Sequence, residues 1–190
     1  HIRELQELGV KAPSSIPCFY RVAAQNLTNE DAIQVLGEAS SGEAEVVVLS
    51  TDQGTYVTVG SDHTDRDVEA YSVAVSKQLC PKPISQHAWP MAEVADHWDD
   101  LELISYAVIN GKRELYQKGR LSGLLTAAQL IGTFTSGKTQ LAKGTVMYCG
   151  TLPVIGRIRP ATRFEMELHD PRLGRSLRHA YDIVMLPRVE

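Results

Sequence analysis

Two glutamates, Glu43 and Glu45, lie on one short strand in Ser41-Gly42-Glu43-Ala44-Glu45-Val46-Val47-Val48-Leu49. Residues i and i+2 of a strand point to the same face. Two carboxylates so placed repel each other and resist burial unless a cation joins them. A third acid, Asp62, follows in Val59-Gly60-Ser61-Asp62-His63-Thr64-Asp65-Arg66-Asp67. Three carboxylates and little else suit a hard divalent ion: Mg²⁺, Mn²⁺ or Ca²⁺. The same spacing also suits two solvent-facing residues on an edge strand, because Glu-x-Glu is a common pattern.

Four further patterns could carry chemistry. In His1-Ile2-Arg3-Glu4 the outer residues share a helix face, and a carboxylate beside an imidazole makes a general base. An ordinary helix surface reads the same way. Around Asp62, the acids Asp65 and Asp67 fit the first turn of a helix, and Arg66 fits a salt bridge. Asp62 precedes that helix, so helix capping does not account for it. Lys77, in Ser76-Lys77-Gln78-Leu79-Cys80-Pro81, could project into a cleft and stabilise developing negative charge. It also fits a cation at a helix C-terminus. Finally, Gly150 and Thr151 in Cys149-Gly150-Thr151-Leu152-Pro153 could offer a backbone N–H and a hydroxyl to an acid, or simply end a strand in a turn.

The elements that must position these groups are mostly strands. Glu45–Leu49 and Tyr56–Val59 read as a hairpin around Asp52-Gln53-Gly54. Leu101–Ile109 ends at Asn110-Gly111, the strongest hairpin signal in the chain. Cys18–Ala23, Thr145–Cys149, Arg163–Leu168 and Leu177–Leu186 complete the strand candidates. Helices are expected over His1–Leu8, from a Thr28 cap through Leu36, from Thr64 to Lys77 with Val68, Tyr71 and Val75 as one apolar stripe, and over Leu121–Ile131. Trp89 and Trp98 flank a short segment that they should pack against the body. The fold class is therefore α+β, mainly β.

Bulk properties bound the rest. The chain has 190 residues, 43% of them hydrophobic, enough for one domain over 1–190 with a sizeable core. A net charge of −4, without basic clusters, argues against a nucleic-acid partner. No apolar run approaches the ~20 residues that span a bilayer, and no segment reads as a signal peptide. Three cysteines without Cys-x-x-Cys spacing fit a reducing, cytoplasmic setting, as buried apolar residues. A start at His1 rather than Met reads as the loss of a leading segment.

Taken in order, these patterns resemble the fumarylacetoacetate hydrolase superfamily, along a divergent prokaryotic branch. His1-Ile2-Arg3-Glu4 resembles its His-x-x-Glu, and Pro17-Cys18-Phe19-Tyr20-Arg21 its Pro-x-Leu-Phe-x-Lys. Glu43-Ala44-Glu45 resembles its metal-binding Glu-x-Glu. Gly60 to Asp67 resembles Gly-Asn-Asp-x-Ser/Thr-x-Arg-Asp, whose first Asp is the third ligand. Lys77 before Cys80-Pro81, Asn110-Gly111 to Gln117, and Gly150-Thr151 resemble the active-site lysine segment, the Asn-Gly-x-x-x-Gln hairpin and the Thr-Gly-Thr-Pro turn. Glu165-Met166-Glu167 is a second Glu-x-Glu and is set aside as a decoy. The Glu45–Asp62 gap is short for the family, Arg21 stands where Lys is common, and Gly-Thr-Leu-Pro carries one extra residue.

The resemblance implies a mixed β-sandwich roll with peripheral helices, usually a homodimer, and a metal-dependent enzyme. The ligands would be Glu43, Glu45 and Asp62, and the ion Mg²⁺ or Mn²⁺, with Ca²⁺ also suitable. Lys77 would stabilise charge, and His1 and Glu4 would activate water. Arg66, Gly150 and Thr151 would contact a small organic acid. The implied reaction is hydrolysis of a C–C bond in a 2-oxo or β-diketo acid. Hydration, decarboxylation or isomerisation on the same site is the alternative, and a non-catalytic, metal-dependent acid-binding protein is the reading from another class.

Overall fold

The computed structural model describes residues 16–189. The helix expected over His1–Leu8, with the His1–Glu4 pair, lies outside the described residues. Eight main strands carry the fold: β1 (Ala32–Leu36), β2 (Ala44–Thr51), β3 (Gly54–Ser61), β4 (Glu102–Ile109), β5 (Lys112–Arg120), β6 (Thr145–Thr151), β7 (Arg163–Asp170) and β8 (Arg175–Leu186). Among the described residues, three α-helices lie outside them: α1 (Arg66–Tyr71), α2 (Val73–Leu79) and α3 (Ala127–Phe134). The α+β, mainly β class is the one expected.

The strands form two layers, one mixed and one antiparallel. One sheet has the order β5-β4-β7-β8-β1, antiparallel except for the parallel β8–β1 pair. The other has the order β6-β2-β3 with the short strand Trp89–Pro90 at its edge. Their inner faces meet in one core that includes Val46, Val48, Val57 and Val59 from the second sheet and Leu103, Phe164, Met166, Leu168 and Tyr181 from the first. Burying such side chains is worth roughly 1.5–3 kcal/mol each before entropy is set against it.

Two hairpins form as their turn residues dictate. Asp52-Gln53 joins β2 to β3, and the Thr51 hydroxyl donates to the Gly54 carbonyl while accepting from the Gln53 amide. Asn110 and Gly111 take φ of 50° and 75°, the left-handed pair that a primed turn needs.

Four local expectations fail for identifiable reasons. Residues 28–36 hold no helix: the Thr28 hydroxyl accepts from the Glu30 amide in a local turn, and Ile33 and Val35 alternate into the core as β1. The helix expected over Thr64–Lys77 is broken at Ser72, whose φ of −155° is extended and whose hydroxyl caps α2. Asp65, not Thr64, caps α1. Tyr71 and Val75 are exposed, so the supposed apolar stripe is not a buried face. Cys18–Ala23 is not a strand, and Leu121–Ile131 is a 3₁₀ turn at Leu121–Gly123 followed by α3, which starts at a Thr126–Gln129 capping box. Among the described residues, no helix is long and apolar enough to cross a membrane.

Trp89 and Trp98 do pack their segment onto the core. The segment is pinned further by His97, whose Nδ1 meets Asp96 at 2.7 Å and whose Nε2 meets the buried Asp170 at 3.0 Å. Arg172 contacts Asp96, and Arg175 bridges Asp170 and Glu93. The hydrogen bonds that His97 donates to Asp96 and Asp170 hold it above its ordinary pKa, and both carboxyls sit below theirs. A raised folded pKa stabilises fully below the unfolded value of about 6.5 and is lost as pH rises through the folded value. The carboxyl contributions fade only in acid. The melting-temperature gap between the native protein and His97→Gln should therefore shrink as pH is raised through neutrality; a gap that widens with pH would refute this.

Candidate metal centre

The β2–β3 register decides where the acids fall. It pairs Ala44 with Ser61 and Glu45 with Gly60. One step further, Glu43 stands opposite Asp62, and the Asp62 amide donates to the Glu43 carbonyl at 2.9 Å. Glu43 and Asp62 are thus cross-strand neighbours, with Glu45 two residues along the same face. One carboxylate oxygen from each lies within 4.8 Å of the others; Glu43 and Glu45 are buried, and Asp62 nearly so. The pairing of Ser40–Ser41 with Thr64–Asp65 closes the end of this face. Opposite Glu45, a Cβ at Gly60 would sit 2.7 Å from Val47 and 2.8 Å from Tyr148, so only glycine fits there.

Three cations surround the acids. Lys77, in the last turn of α2, places Nζ 2.6 Å from Asp62 Oδ2 and 3.6 Å from Glu43 Oε2. Lys82 places Nζ 3.1 Å from Asp62 Oδ1 and donates to the His63 carbonyl. Arg66 donates to Glu43 at 2.9 Å, Glu69 at 2.8 Å and the Ser41 hydroxyl at 2.7 Å. Burial pulls Lys77 and Arg66 down, but the surrounding carboxylates outweigh it and hold both above their ordinary pKa. Lys82 stays below its ordinary value, because burial outweighs Asp62. Burial, then Asp62 and Glu43, pushes Glu45 up to about 8. Acids this close cannot all ionise easily without a cation among them.

Two irregularities aim the remaining polar groups. In β6 the register shifts between Tyr148 and Thr151, with Gly150 at φ 95°. Cys149-Gly150-Thr151 is therefore a bulge within a strand, not the turn expected. It points the Gly150 amide at Glu45 Oε2, 2.7 Å away, and the Thr151 hydroxyl donates to the Ala44 carbonyl. In β5 the register shifts between Leu115 and Gln117. Gln117, fully buried, accepts from the Ala44 amide and the Ser105 hydroxyl and donates to Thr151 and to the Leu152 carbonyl. That one side chain ties β2, β4, β5 and β6 together behind the acids.

Of the predicted site residues, Glu43, Glu45, Asp62 and Lys77 converge. Arg66, Gly150 and Thr151, expected to contact substrate, reach the same place but spend their donors on Glu43, Glu45 and the β2 backbone. His63 turns away from the acids: its ring bridges Tyr181 and Ser40, and burial lowers its pKa to about 3. Glu165 and Glu167 pair with arginines on a sheet face, as a decoy should. Burial raises the thiols of Cys80, to about 11, and of Cys149, which leaves both poor nucleophiles. Lys82 and the stapling role of Gln117 are new. The prolines around Lys82 read only as a helix stop, although they also restrain the backbone that carries the lysine.

The donor set fits a hard divalent ion. All three ligands are carboxylates. Asp62 Oδ1 is buried and receives no hydrogen bond among the described residues, even with Lys82 nearby. The Lys82 ammonium, 3.1 Å away, pairs with this oxygen without hydrogen-bond alignment, and a bound metal ion would use its free lone pairs.

Comparison with solved structures places the fold. A 2-keto-3-deoxy-D-arabinonate dehydratase, complexed with magnesium and 2,5-dioxopentanoate, matches with a TM-score of 0.68 at 16% identity over 90% of this chain. The chain spans 63% of that enzyme's length. Cg1458 with inhibitor matches with a TM-score of 0.72 at 18% identity, over 98% of this chain and 73% of the other. No curated protein matches by sequence. The family whose profile matches residues 1–181 is described as "Protein of unknown function (DUF2848)". The match runs nearly end to end and contains the whole acid cluster, so this chain belongs to the DUF2848 family.

Proposed function

We propose that this chain is a divalent-metal-dependent enzyme of the fumarylacetoacetate hydrolase type, acting on a small 2-oxo acid. One observation carries the reading: three carboxylates that each bring one oxygen within 4.8 Å of the others, with a buried oxygen of Asp62 that accepts no hydrogen bond among the described residues. Glu43, Glu45 and Asp62 would hold Mg²⁺, or Mn²⁺ or Ca²⁺ in its place. Such an ion supplies a Lewis acid and a template for a carboxylate and its adjacent oxo group.

The chain's own residues do the rest. Lys77 lies against Asp62 and Glu43 and donates to negative charge that develops on the oxo oxygen. The Gly150 amide and Gln117 fix Glu45 and the β2 backbone, and Arg66 fixes Glu43. We therefore give Arg66, Gly150 and Thr151 positioning roles rather than substrate contacts. His1 and Glu4, as a carboxylate–imidazole pair, would take the proton from water in C–C hydrolysis. Dehydration of a 2-oxo-3-deoxy acid is the second reading, favoured by the magnesium-bound dehydratase of the same fold.

Incubating the protein with acylpyruvates and with 2-oxo-3-deoxy acids, and identifying products by mass spectrometry, separates the readings. Turnover should require Mg²⁺ or Mn²⁺, stop with a chelator and return on adding the ion. Metal binding with no turnover of either class would leave an acid-binding protein instead.

A further inference from the structure

Both sequence neighbours of Asp62 are held by one side chain from the opposite sheet. The Tyr181 hydroxyl, on β8, meets Ser61 Oγ at 2.8 Å and His63 Nδ1 at 3.0 Å. Ser61, His63 and Tyr181 are each 0% exposed. Extended backbone turns successive side chains to opposite faces, so two neighbours held inward turn Asp62 outward, toward Glu43 and Glu45. The same hydroxyl acts on Glu43, because Ser61 Oγ also accepts from the Glu43 amide, at 3.3 Å. Further bonds stiffen the group. His63 Nε2 meets Ser40 Oγ at 2.9 Å, and the His63 and Asp62 carbonyls accept from Lys82 and from the Thr64 hydroxyl. The Tyr181 ring is fixed in turn, 5.8 Å from Phe164 and edge-on to His63. Phe164 itself lies against Gly42, where a Cβ would come within 2.7 Å of the ring.

We propose that Tyr181 is a positioning residue for the metal centre, its hydroxyl holding Asp62 and Glu43 in the arrangement a divalent ion needs. The inference rests on the metal-site reading above and adds to it a residue of the far sheet that reaches the ligands only through Ser61 and His63. Filling the core does not require this hydroxyl, since phenylalanine would occupy the same space with no polar group to satisfy. A buried hydroxyl is costly unless bonded, and Tyr181 spends its bonds on the two residues that flank a ligand. Removing a group that orients metal ligands from behind typically costs about 10–100-fold in affinity.

Tyr181→Phe tests this, because it keeps the ring and removes only the hydroxyl. Calorimetric titration of Mg²⁺ into the folded variant should show binding about tenfold weaker than to the native protein. Ile183→Val is the control, a packing change at a buried core residue two positions along the same face of β8. Both variants should melt lower, but Ile183→Val should bind Mg²⁺ as the native protein does. Ser61→Ala removes the contact from its other side and repeats the measurement should Tyr181→Phe fail to fold, as judged by circular dichroism. The inference is overturned if Tyr181→Phe, or Ser61→Ala in its place, keeps native Mg²⁺ affinity. It is also overturned if Ile183→Val weakens binding equally, which would make the loss one of general packing. Absence of Mg²⁺ binding to the native protein would instead strike down the metal-site reading, and this inference with it.

Discussion

Asp62→Asn should abolish divalent-ion binding, weakening Mg²⁺ by at least about a hundredfold, or about 2.7 kcal/mol. Two effects add. The substitution removes one of three carboxylates and replaces it with a neutral amide, a poorer ligand for a hard cation. It also strands charge: Lys82 has no carboxylate partner besides Asp62 among the described residues, and Lys77 keeps only Glu43 at 3.6 Å. Breaking a buried pair by removing one partner costs about 3–5 kcal/mol, so the metal-free variant should also melt lower. Glu165→Gln is the matched control, because Glu165 belongs to the other Glu-x-Glu and pairs with Arg113; it should leave ion binding unchanged. Calorimetric titration and thermal unfolding measure both effects. If Asp62→Asn binds Mg²⁺ as well as the native protein does, the trio is not a metal site.

Much of this site is legible in the sequence, because the information is local. Val46–Leu49, the two-residue turn at Asp52-Gln53 and the apolar run after Gly54 specify a tight hairpin. Once that register is fixed, Glu43 must face Asp62. The short Glu45–Asp62 gap, which looks like a trimmed loop, is that hairpin. Lys77 is less determined: the same residue would suit a helix end in solvent, and only the break at Ser72 and the packing of α2 turn it toward the acids.

Other features depend on partners far along the chain. β1 exists because β8 offers it a parallel edge, from Asp182 to Leu186. The local Thr28 signal points to a helix instead, and tertiary pairing overrides it. Gly150 illustrates a signal that was present but read too narrowly. A glycine inside a strand pattern marks either an end or a bulge; here it is a bulge, whose purpose appears only when Glu45, 105 residues earlier, lies beneath its amide. The prolines beside Lys82 mark its backbone but not its partner, since Asp62 is brought to it by the end of β3.

Arg66 allows the positioning role to be distinguished from substrate binding. Its guanidinium spans Glu43 and Glu69, and the carboxylates that flank it are each 2% exposed. Arg66→Met keeps much of the side-chain volume but takes the shared guanidinium away from two buried acids. The expected loss of metal-free stability is about 3–5 kcal/mol, the cost of stripping one partner from a buried ionic cluster. Glu69→Gln in the same chain should recover part of that loss, because Glu69 belongs to no ligand set and its charge would no longer need an opposite. Added Mg²⁺ should recover a further part by neutralising Glu43. A residue kept only for substrate would behave otherwise: its removal would leave metal-free unfolding almost untouched, and neither the second substitution nor the ion would restore anything. Denaturant titrations of the single and double variants, with and without Mg²⁺, give the comparison. A native-like midpoint for Arg66→Met would return Arg66 to the substrate.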